Sequence, residues 1–128
     1  MEDKRRLNIQ GSRDETTDIA MNVIEDVLKI FQICLDLDLN YSMPSVEMFL
    51  NHLQLLSQRV VTKKVLNEVE DKAMYDHMSK MYKKTSDCVD KIAQRLKEKY
   101  EFDLSCTERL YLIVHMQNVL NAKKNVNF

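Results

Sequence analysis

Apolar residues recur at three- and four-residue steps along most of this chain, the period of a helix that buries one face. Ile19, Val23, Val27, Ile30, Phe31 and Cys34 form the first such stripe, which predicts a helix from about Thr17 to Leu35. Asp14, Glu15 and Asp18 stand near its start, where the helix dipole favours negative charge. Residues 36–43 read as a connection, and Pro44 suits the first turn of a second helix, where a missing N–H costs nothing. Val46, Phe49, Leu50, Leu53, Leu56 and Val60 line one face of that helix. A weaker third stripe, from about Asn67 to Tyr82, holds Val69, Ala73, Met74, Met78 and Met81. A fourth, from about Thr85 to Tyr100, holds Cys88, Val89, Ile92, Leu96 and Tyr100.

The last helix has the sharpest start. Ser105-Cys106-Thr107-Glu108 has the spacing of a capping box, in which the side chains of the first and fourth residues each satisfy an orphaned backbone N–H. Leu110 to Val114, Met116, Val119 and Leu120 follow, so this helix is apolar over most of its circumference and belongs in the middle of a bundle. The expected fold is all-α, a compact five-helix bundle.

Composition narrows the alternatives. With one glycine, Gly11, and one proline, Pro44, the chain lacks the turn residues that a strand-rich fold needs. At 128 residues it is one domain: residues 1–14 read as a flexible tail, 15–124 as the folded unit, and 125–128 as a C-terminal tail. The formal charge is −1, without the basic excess of a chain that lives on phosphate contacts. Lys4, Arg5 and Arg6 form the only basic cluster and read as a solvated terminus. No direct nucleic-acid contact is expected, and no membrane contact, since no run approaches membrane-span length. Cys34, Cys88 and Cys106 form no Cys-x-x-Cys pair; they read as buried thiols in a reducing, cytoplasmic setting.

Two histidines stand out. His115 lies in the most apolar stretch, yet it shares a helix line with Glu108, Tyr111 and Asn118. That is a polar seam down an otherwise buried helix. An unsatisfied buried imidazole costs roughly 1–3 kcal/mol, so His115 should have partners or reach a cleft. His52 lies beside the Phe49-Leu53-Leu56 stripe, at the edge of core and solvent, with Arg59 two turns on. A cation there could neutralise a phosphate carried by His52, and imidazole is nucleophilic near neutral pH without activation. From the residues alone, the stronger reading is that both histidines are satisfied boundary residues. His77 has no such companions and reads as structural. No His-x-x-x-His or Glu-x-x-His pair is present, so neither a metal nor another cofactor is expected.

The segments around the two histidines resemble a known family. Asn51-His-Leu-Gln-Leu-Leu-Ser-Gln-Arg59 is similar to the His-Leu-Lys-Phe-x-Ala-x-Arg helix of the PTS regulation domain (PRD), with His52 and Arg59 in matching places. Glu108-Arg-Leu-Tyr-Leu-Ile-Val-His115 resembles its Glu-Ile-Gly-Tyr-Leu-Thr-Leu-His helix, matching at Glu108, Tyr111, Leu112 and His115. The run from Cys88 to Leu104 looks like the family's fourth helix and the turn after it, and the resemblance covers roughly residues 17–122.

The resemblance implies a helical regulatory module of bacterial antiterminators and activators, not an enzyme. It implies two phosphoacceptor histidines, His52 and His115, supported by Arg59, Glu108, Tyr111 and Asn118. The implied donor is the phosphocarrier HPr or the EIIB domain of a sugar permease, and phosphorylation is implied to control homodimer packing or partner binding. Asn118 stands where many relatives have arginine, and Glu101 where a glycine often closes the fourth helix. The first departure favours His52 over His115 as acceptor. Because no RNA-binding β-domain precedes the helices, a stand-alone PRD is expected. The competing readings are an interaction module that keeps the fold without phosphoryl chemistry, and a small helical enzyme or metal protein.

Overall fold

The computed structural model describes residues 11–66 and 72–126, and these form five helices with no strand among the described residues. They are α1 (Gly11–Cys34), α2 (Pro44–Thr62), α3 (Lys72–Met81), α4 (Lys83–Tyr100) and α5 (Cys106–Val126). The all-α, five-helix expectation is met, with shifted ends. α1 is already helical at Gly11, upstream of the expected start near Thr17, because polar turns add no apolar period to read yet still form helix. α5 is helical through Val126. The predicted start of the third helix at Asn67, with Val69, lies outside the described residues.

One core holds the bundle. Val23, Val27 and Phe31 enter it from α1, Phe49, Leu53 and Leu56 from α2, and Ile92 and Leu96 from α4. Leu112, Ile113 and Met116 complete it from α5. α1 packs on α2 and α4, while α5 packs on α2, α3 and α4, the central position its apolar circumference implies. Ile19, the first residue of the predicted α1 stripe, is 41% exposed; the stripe reaches the core only from Val23 onward. α3 has no buried residue at all, so its methionine stripe covers the bundle without entering it.

Helix ends are made by backbone turns. Asp36, Lys63 and Glu101 have φ of 49°, 59° and 54°, a left-handed conformation that disfavours any residue with a Cβ. After α4, Glu101 N–H donates to Lys97 O and Phe102 N–H to Leu96 O, and Phe102 is buried beneath the turn. The Glu101-to-Lys97 bond is that of an αL C-cap, and glycine is the usual residue at the position Glu101 holds. α5 begins as its sequence predicts on the Ser105 side: the Glu108 N–H donates to Ser105 Oγ at 3.1 Å. Side chains then tie helices together. Asp26 of α1 accepts from Tyr100 Oη at 2.8 Å and from Lys99 Nζ at 2.9 Å on α4, and Thr85 of α4 donates to Gln117 of α5 at 3.0 Å. Among the described residues, no helix is long and apolar enough to cross a membrane.

Candidate functional site

His52 sits midway along α2, and His115 in the central stretch of α5. Because α2 and α5 pack directly on each other, each helix's polar departure from its apolar stripe meets the other's. The two imidazoles stack, with ring centroids 4.9 Å apart and planes 29° from parallel. Tyr111 closes one side, edge-on to His52 at 5.6 Å, and Phe49 lies 6.4 Å from the His115 ring on another.

Beneath His52 is an ion pair. The Glu108 carboxylate is 0% exposed and accepts from Arg59 Nη1 at 3.2 and 3.4 Å. Its Oε1 is also 3.6 Å from His52 Nε2, close enough to interact but too long for a hydrogen bond. That Nε2 is buried and has no hydrogen-bond partner, and His52 is only 9% exposed. Arg59, 24% exposed, reaches from the buried carboxylate outward to solvent.

The imidazoles are held neutral. Burial, then the nearby His115, then the Arg59 charge push His52 down from 6.5 to about 4. Burial alone lowers His115. A neutral ring keeps a nitrogen lone pair, the form that attacks phosphorus. The surroundings are apolar: a hollow of about 270 Å³ beside His115 is lined by Met74, Met78, Leu110, Tyr111 and Val114. Leu55, one turn from His52, and Tyr111 are both exposed.

The structure thus brings together His52, His115, Arg59, Glu108 and Tyr111. It pairs Arg59 with Glu108, whereas the sequence had attached each to a different histidine. Asn118 is exposed, and among the described residues no hydrogen bond joins it to either imidazole. Phe49, Met74 and Met78 were legible only as stripe residues; nothing in their spacing shows that they wall His115. His77 is exposed on α3. Cys88 is buried, with its thiol pushed up by burial and by the adjacent Cys34, so neither nucleophile nor metal ligand is favoured there. No group of three or more His, Cys, Asp or Glu among the described residues is arranged to hold a metal.

Comparison with known proteins bears on this pair. The family model described as the PRD domain matches residues 22–119, which include both imidazoles and the Arg59–Glu108 pair. Among curated proteins, the chain is 25% identical over 133 residues to the beta-glucoside operon antiterminator of Dickeya chrysanthemi, covering 90% of this chain and 47% of that protein. It is 26% identical over 98 residues to the transcription antiterminator LicT of Bacillus subtilis, covering 77% of this chain and 35% of that protein. The chain therefore spans less than half the length of either relative. With the match running from the second turn of the α1 core stripe to the last buried residue of α5, and the stacked histidines inside it, the chain belongs to the PRD domain family.

Proposed function

We propose that this domain is a phosphoacceptor regulator of the bacterial phosphotransferase system, modified reversibly on His52 first and His115 second. The observation that carries this reading is the stack of two neutral imidazoles beside an arginine, set in an apolar rim at the surface. Neutral nitrogen supplies the nucleophile; Arg59 supplies a planar cation able to face a phosphoryl group; Tyr111, Phe49 and Glu108 hold the rings and the cation in place. Phosphorylation puts a near-dianion into a patch that exposes Met48, Leu55, Met74 and Tyr111. Such a patch suits burial against a second copy of the domain, and a new charge there shifts the balance between associated and free forms. The module regulates rather than catalyses, in the cytoplasm, with HPr or an EIIB domain as donor and transcription antitermination as the process that its relatives' names indicate.

Incubation with phosphoenolpyruvate, enzyme I and HPr, or an EIIB as last donor, tests this directly. Acid-labile phosphohistidine is expected, and it should vanish in the His52→Ala, His115→Ala double variant. Absence of label with either donor would sink phosphoacceptance, and label surviving in the double variant would sink the site assignment. One observation favours the second reading, an interaction module without phosphoryl chemistry: Arg59 is already paired with Glu108, so its charge has a counterpart without phosphate. On that reading His→Gln substitutions leave partner binding and dimerisation unchanged.

A further inference from the structure

Groups attached to the two imidazoles are forced to be neighbours, because the rings themselves are only 4.9 Å apart. Among the described residues, the charged groups facing the pair are Arg59 from α2 and Glu108 from α5. α3 contributes Met74 and Met78 beside His115, and these carry no charge. Arg59 is committed to the Glu108 carboxylate at 3.2 Å, so these two charges offset each other before any phosphoryl group arrives. A phosphoryl group brings roughly −1.5 to −2. One such group on His52 can be met: the guanidinium is partly exposed and has five N–H donors in a fork, enough to face carboxylate and phosphoryl oxygens together. A second group, on His115, would confront the first one and the buried Glu108 carboxylate with no further cation facing it among the described residues. Charge repulsion at this range, next to an apolar wall, is weakly screened.

Resting on the phosphoacceptor reading, we infer that the stacked pair holds one phosphoryl group at a time, so that occupancy of His52 or of His115 excludes occupancy of the other. Each transfer is balanced without a further reactant. The lone pair of a neutral ring nitrogen forms the N–P bond, and the donor's own bond to phosphorus breaks with its electrons kept by the donor atom. The proton released by the acceptor ring passes to the donor side chain. Two phosphorylation sites then behave as one switch with two addresses, and a donor acting at either one blocks the other.

Chemical phosphorylation separates this rule from the identity of the donor. Potassium phosphoramidate transfers phosphoryl groups to imidazoles with loss of ammonia and needs no carrier protein. The exposed His77 is first replaced as His77→Gln, leaving two histidines in the chain. Intact mass is read at alkaline pH, where phosphohistidine survives, on the folded protein and on the same protein unfolded in urea. One phosphoryl group is expected on the folded chain and two on the unfolded chain, with the folded occupancies of His52 and His115 summing to one. Two groups on the folded chain, or none, overturn the inference. Asn118→Arg adds a cation one turn beyond His115 and is expected to raise the folded limit to two; a limit still at one overturns its origin in charge. A chain that takes one group from phosphoramidate but none from phosphoenolpyruvate, enzyme I and either carrier refutes phosphoacceptor function and leaves the one-at-a-time rule standing.

Discussion

Arg59 and Glu108 do not stand to lose equally from the breaking of their ion pair. Glu108 is fully buried, whereas Arg59 can turn its head into water. Removing Arg59 leaves a carboxylate buried without its partner, which typically costs about 3–5 kcal/mol; removing the Glu108 charge leaves a cation that solvent can reach. Urea denaturation should therefore show Arg59→Met losing about 3 kcal/mol and Glu108→Gln only about 1 kcal/mol. Equal losses would mean that Glu108 is not the dependent partner. His52 gives the site a pH response of definite sign. Its folded-state value near 4 lies below the ordinary 6.5, so the unfolded chain takes up the proton first. Stability is then complete above about 6.5 and falls, on the order of 1–3 kcal/mol, as pH drops toward 4. His115 acts in the same direction through burial, and among the described residues Arg59 and Glu108 are the charged groups beside His52. Asp26 acts lower: burial opposes its ionisation, but hydrogen bonds from Lys99 and Tyr100 win and hold it below 3.8. Thermal melts at pH 7 and pH 5 should differ more in the native protein than in His52→Gln.

At the scale of elements, the ends are strained in a way the helices are not. Glu101 adopts φ 54° to let Phe102 turn back into the core. Glutamate has a Cβ that crowds the backbone in this conformation, and glycine does not. Glu101→Gly is expected to raise stability by about 0.5–1 kcal/mol, the relief of strain exceeding the entropy glycine adds to the unfolded chain. A fall in the urea midpoint would show that the side chain contributes something the turn does not. The resemblance had already marked this place as one where glycine is usual, and the left-handed turn supplies the physical reason. α3 differs from the other helices for another reason. It is ten residues long, below the length at which a helix is stable alone, and buries none of them. Its amides should exchange with solvent before those of α2 and α5, measured by hydrogen exchange at neutral pH. Protection of α3 equal to that of α5 would contradict this order. Since Met74 and Met78 line the hollow beside His115, local opening of α3 is expected to widen access to that imidazole.

For the whole molecule, the sequence by itself determined the class of fold and the ranking of its helices. Periodicity at 3.6 residues is a property of each segment alone, so the five stripes, the proline start of α2 and the serine cap of α5 could be read without neighbours. The same local logic found both histidines, because a polar residue in an apolar stripe is visible in one dimension. It fell short where polar turns extend a helix without an apolar period, as between Gly11 and Thr17, and where a stripe runs beyond the surface it covers, as at Ile19. Tertiary packing alone brings the two histidines together. Residues 63 positions apart share no periodic relation, and a helical line can be read for direction but not for what it meets. Packing of α2 on α5 set the ring separation at 4.9 Å and gave Arg59 to Glu108 rather than leaving each beside its own imidazole. Burial and the resulting loss of hydration then depressed both imidazoles. Those are consequences of solvent exclusion by several helices together, which no single segment encodes.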